Sequence, residues 1–308
     1  MTATRRPVVA AVASLLLPGL GQIYNGEIAR GITLLLSLAV LLPSAAWLAV
    51  HGPRCALSPF ILAGVIASVA VYVYAVVAAY RSAARLRDGF APGSWNRPMA
   101  YLAVFLFGHV LVLGPAGHIT KTNLIETFKV PSASMLPGIL PGDRFFADKR
   151  VGRPGGRKIR RGDIAVFIYP NDRTTLFVKR VIGLPGDRVA IDGTRVTVNG
   201  VELAREEVRD LGDASLNRML DDHVAFREHV DGGAYTAIWR KGDVHPALDV
   251  TVPNGQVFVL GDNRDASHDS RQFGVLPLAD ITAVARQVWL SLDDRGSVRW
   301  RRTGVLLD

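Results

Sequence analysis

Three long stretches without a charged residue constrain this 308-residue chain more than anything else in it. Gly31–Val50 has 20 residues, Pro59–Tyr80 has 22 and Pro98–Gly117 has 20, with His109 the one histidine among them. A helix needs about 20 mostly apolar residues to cross the hydrocarbon of a bilayer. The expectation is a membrane region over residues 1–120, with transmembrane helices at about 31–50, 59–80 and 98–117. An ionisable group within a bilayer is costly, so His109 is expected to face another helix or an interface.

A fourth apolar stretch, 7–26, is shorter and interrupted. Val8–Leu17 is apolar, then Pro18, Gly19 and Gly21 break the run. Arg5 and Arg6 before an apolar run are also how a cleavable leader starts. No small-x-small site ends the run and further apolar stretches follow, so a retained re-entrant segment or fourth span is expected. The string Pro18-Gly-Leu-Gly-Gln-Ile-Tyr-Asn-Gly26 resembles a module at the start of several small bacterial membrane proteins, and no activity is attached to it.

The net charge of +9 raises the question of nucleic acid. Residues 1–120 hold eight arginines against Glu27 and Asp88, which accounts for +6 of it. Arginine clustered beside apolar spans marks cytoplasmic loops and anionic headgroups, so membrane lipids are expected as partners and nucleic acid is not. The loop Arg81–Arg97, with four arginines and one aspartate, is expected in the cytoplasm. The next span then leads outward, and residues 121–308 lie outside. The single cysteine, Cys55, allows no intrachain disulfide and no cysteine-based metal site. It reads as a small apolar loop residue.

From residue 121 the texture becomes short β-like runs with turn signals. Asp163–Tyr169, Leu176–Ile182 and Gly255–Leu260 read as strands. Arg188–Ile191 and Thr194–Val198, joined at Asp192-Gly193, read as a hairpin, and Asn199-Gly200 as a further turn. Helical spacing is present only near Ser215–Arg227. The fold expected is N-terminal transmembrane helices followed by a mainly-β domain of antiparallel sheets. Residues 201–250 are polar and irregular and read as an insertion or cap.

Three segments could carry chemistry. In Phe128-Lys-Val-Pro-Ser-Ala-Ser-Met-Leu-Pro137, Ser132 and Ser134 share one face if the chain is extended. They could be a nucleophile and a neighbouring donor, or a loop capping its own backbone. In Phe177-Val-Lys-Arg-Val-Ile182, alternation sets Lys179 between Phe177 and Val181. Lost hydration lowers a lysine pKa toward neutrality, and a neutral amine can act as base for serine. Taken alone, a lysine at a sheet edge snorkelling to water is the commoner case. The polar run Gly261-Asp-Asn-Arg-Asp-Ala-Ser-His-Asp-Ser-Arg271 could be a solvated loop or a buried orienting network.

Together these segments resemble the bacterial type I signal peptidase family. Pro131-Ser-x-Ser-Met-x-Pro137 with Gly142-Asp143 resembles its nucleophile box. Arg161-Gly-Asp-Ile164 resembles its next box, Lys179-Arg-Val-Ile-Gly-Leu-Pro-Gly-Asp187 its lysine box, and Gly261-Asp-Asn-Arg-Asp265 with Ser267, Asp269, Ser270 and Arg271 its last. Ala133 stands where the family usually has Gly, Gly138-Ile139 where it has Thr-Leu, and Ala266 where it has Asn.

The resemblance implies Ser134 as nucleophile, Lys179 as general base, and Ser132 with the Ser134 N–H as oxyanion donors. It implies that Ser267 holds the lysine amine and that Asp269 and Arg271 form a supporting ion pair. It implies that Phe128, Val130, Met135, Ile139, Phe177 and Val178 line pockets for small side chains. The resemblance implies a serine endopeptidase of the bacterial cytoplasmic membrane, acting outside it on signal-peptide-bearing preproteins, with no cofactor and no metal. The three or four apolar spans exceed the one or two common in that family, so a multi-pass protein is expected from the spans themselves, and a monomer.

Alternatives are a membrane scaffold with an altered protease domain, or a Ser–Lys membrane protease with other substrates. Self-cleaving repressors share the Ser–Lys pair but carry a DNA-binding domain where this chain has apolar spans. A Ser–His–Asp triad lacks a histidine at a telling spacing, and His268 is expected to be exposed.

Overall fold

The structure, a computed structural model, describes residues 4–86, 96–152, 156–231 and 233–307, without the side chain of Arg54. Residues 87–95 of the loop expected in the cytoplasm lie outside the described residues. The chain divides into two compact units, Met1–Ile125 and Glu126–Asp308. The division falls later than the change of texture at 120/121 because the last helix of the first unit continues to Asn123.

The first unit is helical. Its elements are α1 (Pro7–Leu16), α2 (Leu20–Tyr24), α3 (Ile28–His51), α4 (Leu57–Arg85), α5 (Pro98–Phe107) and α6 (Gly114–Asn123), the last two joined by a π-helical turn, Gly108–Leu113. Three continuous helices are long and apolar enough to cross a membrane: Ile28–His51 with 24 residues, Leu57–Arg85 with 29 and Pro98–Asn123 with 26. His109 sits in the π-helical turn, exposed, with its ring 4.5 Å from Phe105 of the same helix. Cys55 lies exposed in a short 3-10 turn between α3 and α4.

Residues 7–26 form two short helices rather than one long one. The ten residues of α1 reach about 15 Å, half of a hydrocarbon layer. Gly19 then turns the chain with φ +97°, a conformation that L side chains rarely adopt. A Cβ there would stand 2.1 Å from the Gly31 carbonyl oxygen, so the turn packs directly on the α3 backbone. The return helix inserts polar groups against α4. Gln22 Nε2 donates to the Ala75 carbonyl at 2.7 Å and Asn25 Nδ2 to the Ala79 carbonyl at 2.8 Å. Buried amides persist only when paired in this way.

The second unit is built from antiparallel strands, as the expected fold class has it. They are β1 (Ile125–Lys129), β2 (Asp143–Asp148), β3 (Ile164–Ile168), β4 (Leu176–Gly183), β5 (Arg188–Asp192), β6 (Arg195–Val198), β7 (Val201–Glu202), β8 (Arg205–Val208), β9 (His223–Val230), β10 (Gly233–Arg240), β11 (Leu248–Thr251), β12 (Gln256–Leu260), β13 (Leu276–Pro277) and β14 (Ile281–Ser291). Two four-residue helices, α7 (Ala214–Asn217) and α8 (Ser270–Phe273), complete it.

A seven-stranded sheet runs β1-β2-β14-β3-β4-β12-β13. A four-stranded sheet, β11-β5-β6-β7, and a three-stranded one, β10-β9-β8, accompany it. Val189, Ile191, Val196, Tyr235, Trp239 and Phe258 share one core, so all three sheets close on the same apolar interior.

Two readings of the sequence need correction. Helix is confined to Ala214–Asn217 and a 3-10 turn to Asp221; from His223 the stretch Ser215–Arg227 lies in β9. Asp213 caps the short helix through Ser215 N and Leu216 N, but β9 hydrogen-bonds with β8 on one side and β10 on the other. Leu216, Met219 and Leu220 keep their helical spacing in the helical turns, and the ladders take over from His223 on. Residues 201–250 are likewise not irregular: they supply β7 to β11 and place Ala237 and Trp239 in the core. Their polar character comes from one exposed face of paired strands.

Replacing Gly19 by Ala should destabilise the helical unit by about 2 kcal/mol or more, through positive φ and the Gly31 contact. The check is the thermal midpoint of purified full-length chain in detergent; an unchanged midpoint contradicts this packing.

Candidate active site

Lys179 lies on β4, opposite Ala165 of β3. On the other side β12 ends at Leu260, which pairs with Arg180, and the chain leaves the sheet as the loop 261–269. The loop passes so closely that a Cβ on Gly261 would stand 2.2 Å from Ser267 Oγ and 2.6 Å from the Ser134 carbonyl oxygen. Glycine is needed there for lack of room.

The serine segment is a turn rather than an extended edge. Leu136 N donates to Ala133 O at 3.2 Å and Ile139 N to Met135 O at 2.8 Å. The turn is tied at its ends. Val130 N bonds Asp143 O and Gly142 N bonds Val130 O, both at 2.9 Å, while the Asp143 carboxylate accepts from Leu140 N and pairs with Arg302. Asn263 holds the centre, with its N donating to Ser134 O at 3.1 Å and its Nδ2 to Ala133 O at 3.2 Å.

These ties bring Ser134 Oγ to 2.7 Å from Lys179 Nζ. Both side chains are buried. Ser132 is exposed, with its hydroxyl 3.2 Å from Ser134 Oγ. The Ser134 backbone N–H has no acceptor among the described residues. Burial drives the lysine pKa down; Asp269 and Asp262 pull it partly back and Arg271 pushes it down again, leaving it at about 8. A lysine near 8 is neutral often enough to accept a proton at neutral pH, which an ordinary one near 10.5 is not.

The remaining residues singled out in the sequence are placed unevenly. Asp269 and Arg271 form an ion pair with bonds of 2.8 and 2.9 Å, and Asp269 also accepts from Gly261 N at 3.0 Å. Ser267 is buried beside Gly261, and its Oγ has no hydrogen bond, to Lys179 or to any other described residue. Val130, Met135 and Ile139 are buried in one cluster with Phe128 and Val178 at its margin. Phe177 lies apart from them, in a second cluster, and stacks on Tyr169 at 4.3 Å. Alternation along β4 accounts for this: Phe177 shares the face of Lys179, and Val178 points the other way. His268 is exposed and 2.9 Å from the Tyr169 hydroxyl.

Beneath the pair lies a buried ionic network, one of the two readings the polar run 261–271 left open, with partners the sequence did not single out. Arg180 makes a bidentate pair with Asp262, both bonds 2.8 Å, and lies 4.1 Å above the Tyr235 ring. Tyr235 donates to Glu228 at 2.5 Å, and Glu228 pairs with Arg264 at 2.5 Å. Arg264 Nε reaches the Gly261 carbonyl at 3.1 Å. Burial alone would lower the Arg264 pKa, but Glu228, then Tyr235, hold it above its ordinary value. Burial, then Glu228, raise that of Tyr235. Asp262 and Arg264 stand in the polar run noted above. Glu228 and Tyr235, far off on β9 and β10, gave no signal.

Two outcomes follow from these charges. The folded Lys179 amine titrates near 8 and the unfolded one near 10.5, so across that window the unfolded chain binds more protons and stability rises with pH. The increment is on the order of 3 kcal/mol, and it should be missing from Lys179→Met. Denaturant unfolding of both proteins at the two ends of the window isolates it; parallel pH dependence contradicts the burial. Glu228→Gln leaves Arg264 buried without its counter-charge and should lower stability by about 3 kcal/mol. The same unfolding measurement reads it.

The chain matches the family described as "Signal peptidase, peptidase S26" over residues 100–290. It is 32% identical to Signal peptidase I of Rickettsia prowazekii over 202 residues, 56% of this chain and 75% of that protein. It is 32% identical to Signal peptidase I of Pseudomonas fluorescens over 203 residues, 56% of this chain and 67% of that one. A signal peptidase I structure from Enterococcus faecalis, 28% identical, covers 42% of this chain and 97% of its own with a TM-score of 0.30. The family match spans more than half of the sequence and includes every segment that builds the serine–lysine site, so the chain belongs to the signal peptidase family, peptidase S26.

Proposed function

We propose that the chain is a membrane-anchored serine endopeptidase that removes signal peptides from exported preproteins, with Ser134 as nucleophile and Lys179 as general base. The observation that carries this reading is the 2.7 Å contact between Ser134 Oγ and a lysine titrating near 8. In the neutral enzyme the amine takes the Ser134 proton as Oγ adds to the scissile carbonyl carbon. The oxyanion so formed is received by the Ser134 N–H, which has no other acceptor among the described residues, and by the Ser132 hydroxyl. The ammonium then protonates the leaving amine. Water, deprotonated by the same lysine, releases the acyl group from Ser134.

The supporting roles follow from position. Asp269 and Arg271 hold the loop beside Lys179, and the unpaired Ser267 hydroxyl is the group available to receive the amine when Ser134 is acylated. Val130, Met135 and Ile139 are buried, so pockets with Phe128 and Val178 at their margin are shallow and apolar and admit Ala, Gly or Ser. Phe177 belongs to the lysine side of β4 and bounds the site there. The three long helices are read as spans of a bacterial cytoplasmic membrane, the loop 81–97 as cytoplasmic and the β-rich unit as extracytoplasmic. The chain is read as a monomer with no cofactor and no metal.

Ser134→Ala and Lys179→Ala should each abolish preprotein cleavage, since nucleophile and base act as one unit. For the wild type, kcat/KM should fall about tenfold per pH unit below 8 and level off above it. Cleavage near the wild-type rate by either variant, or a flat acid limb, contradicts the pair. Peptide libraries varied at the first and third positions before the cut should be cut after small residues; equal cutting after Lys, Phe and Ala contradicts the substrate reading while leaving the pair intact.

A further inference from the structure

We propose that the helical unit holds a binding site for the phosphate of a lipid headgroup, where the α2–α3 corner meets the C-terminal turns of α4. The inference rests on the reading of α3 and α4 as membrane spans. A cavity of about 620 Å³ opens there, with Asn25, Glu27, Arg30, Tyr74, Arg81 and Arg85 in its wall.

Part of the wall is locked in place. Arg30 donates to Glu27 at 3.1 Å and to the Tyr74 hydroxyl at 2.5 Å. The Ser82 hydroxyl also donates to Glu27, so that carboxylate is already engaged from two sides. Asn25 is 3% exposed and fixed by the Ala79 carbonyl, and its Oδ1 has no hydrogen bond. Arg81 and Arg85, four residues apart on one face of α4, make no ion pair or hydrogen bond among the described residues. Three guanidinium groups against one carboxylate leave the cavity with a net charge of +2.

Membrane topology alone accounts for arginines near a helix end. It does not account for a cavity whose wall includes a third arginine locked by a tyrosine and a glutamate. Guanidinium groups match phosphate oxygens in charge and in planar bidentate geometry. Basic pockets between helices on the cytoplasmic side are where anionic headgroups bind. A phosphoglycerol head suits this one, with its phosphate on Arg81 and Arg85 and a hydroxyl toward Asn25.

The test is native mass spectrometry of the full-length chain in non-ionic detergent, titrated with phosphatidylglycerol or phosphatidylcholine. One retained phosphatidylglycerol per chain is expected, in preference to phosphatidylcholine. In the double variant Arg81→Gln, Arg85→Gln its occupancy at limiting lipid should fall about tenfold or more. The double variant Arg188→Gln, Arg195→Gln removes the same charge from exposed sites of the β-rich unit and should retain it. Displacement by millimolar-range inorganic phosphate assigns the affinity to the phosphate alone; resistance assigns it to the whole lipid. Equal retention by the cavity variant, equal loss by the control, or no preference over phosphatidylcholine overturns the proposal. Preprotein cleavage, read separately, reports on the Ser134 assignment and is independent of this result.

Discussion

The site depends on keeping one lysine amine out of water without a full counter-charge. Lys179 is surrounded by β3, β4 and the loop that leaves β12, and its nearest polar contact is a serine hydroxyl rather than a carboxylate. A carboxylate at hydrogen-bond distance would hold the amine protonated and rule out the base role proposed for it. The acids nearby are engaged elsewhere: Asp269 by Arg271 and Gly261, Asp262 by Arg180. Each reaches Lys179 only as a longer-range field, which returns part of what burial removes. The balance near 8 is set by this division of charges.

That division requires the loop 261–269 to be rigid, and ion pairs supply the rigidity. Arg180, Asp262, Arg264 and Glu228 are all nearly without solvent contact. Buried pairs like these add little net stability compared with apolar replacements, but breaking one strands a charge. Their effect is to make alternative loop positions costly. Glu228 and Tyr235 on the β9–β10 hairpin thereby act on a loop that, through Asn263, grips the carbonyl of the proposed nucleophile. A segment that reads as a polar insertion is part of the frame that holds the site.

The helical unit shows the same economy of polar groups in an apolar setting. Its short N-terminal hairpin closes because glycine lets backbone meet backbone at Gly19 and Gly31, and because Gln22 and Asn25 spend their amides on α4 carbonyls. For the spans proposed above, close approach and hydrogen bonding of this kind would hold the helices together in lipid, since apolar surface gains nothing by leaving hydrocarbon.

Local pattern was enough for much of this. The three long helices, the strands around Ile164–Ile168, Leu176–Gly183 and Gln256–Leu260, and the Gly193 and Asn199-Gly200 turns follow from run length, period and turn chemistry. The serine, lysine and polar segments were legible as candidates because their residue types are unusual where they stand. Which groups meet was not legible. Ser132 and Ser134 converge through a turn instead of an extended edge, Phe177 and Val178 part to opposite faces, and Ser267 stays unpaired. The helical reading of 215–227 holds to Asp221 and fails from His223, because spacing records only neighbours, whereas β9 is held by ladders on both sides. The sequence by itself determined which side chains are available and which segments are apolar. The tertiary structure alone decided the burial of Lys179, the partner of every nearby carboxylate and the role of Glu228, because dielectric and counter-charge are properties of packing between segments remote in the chain.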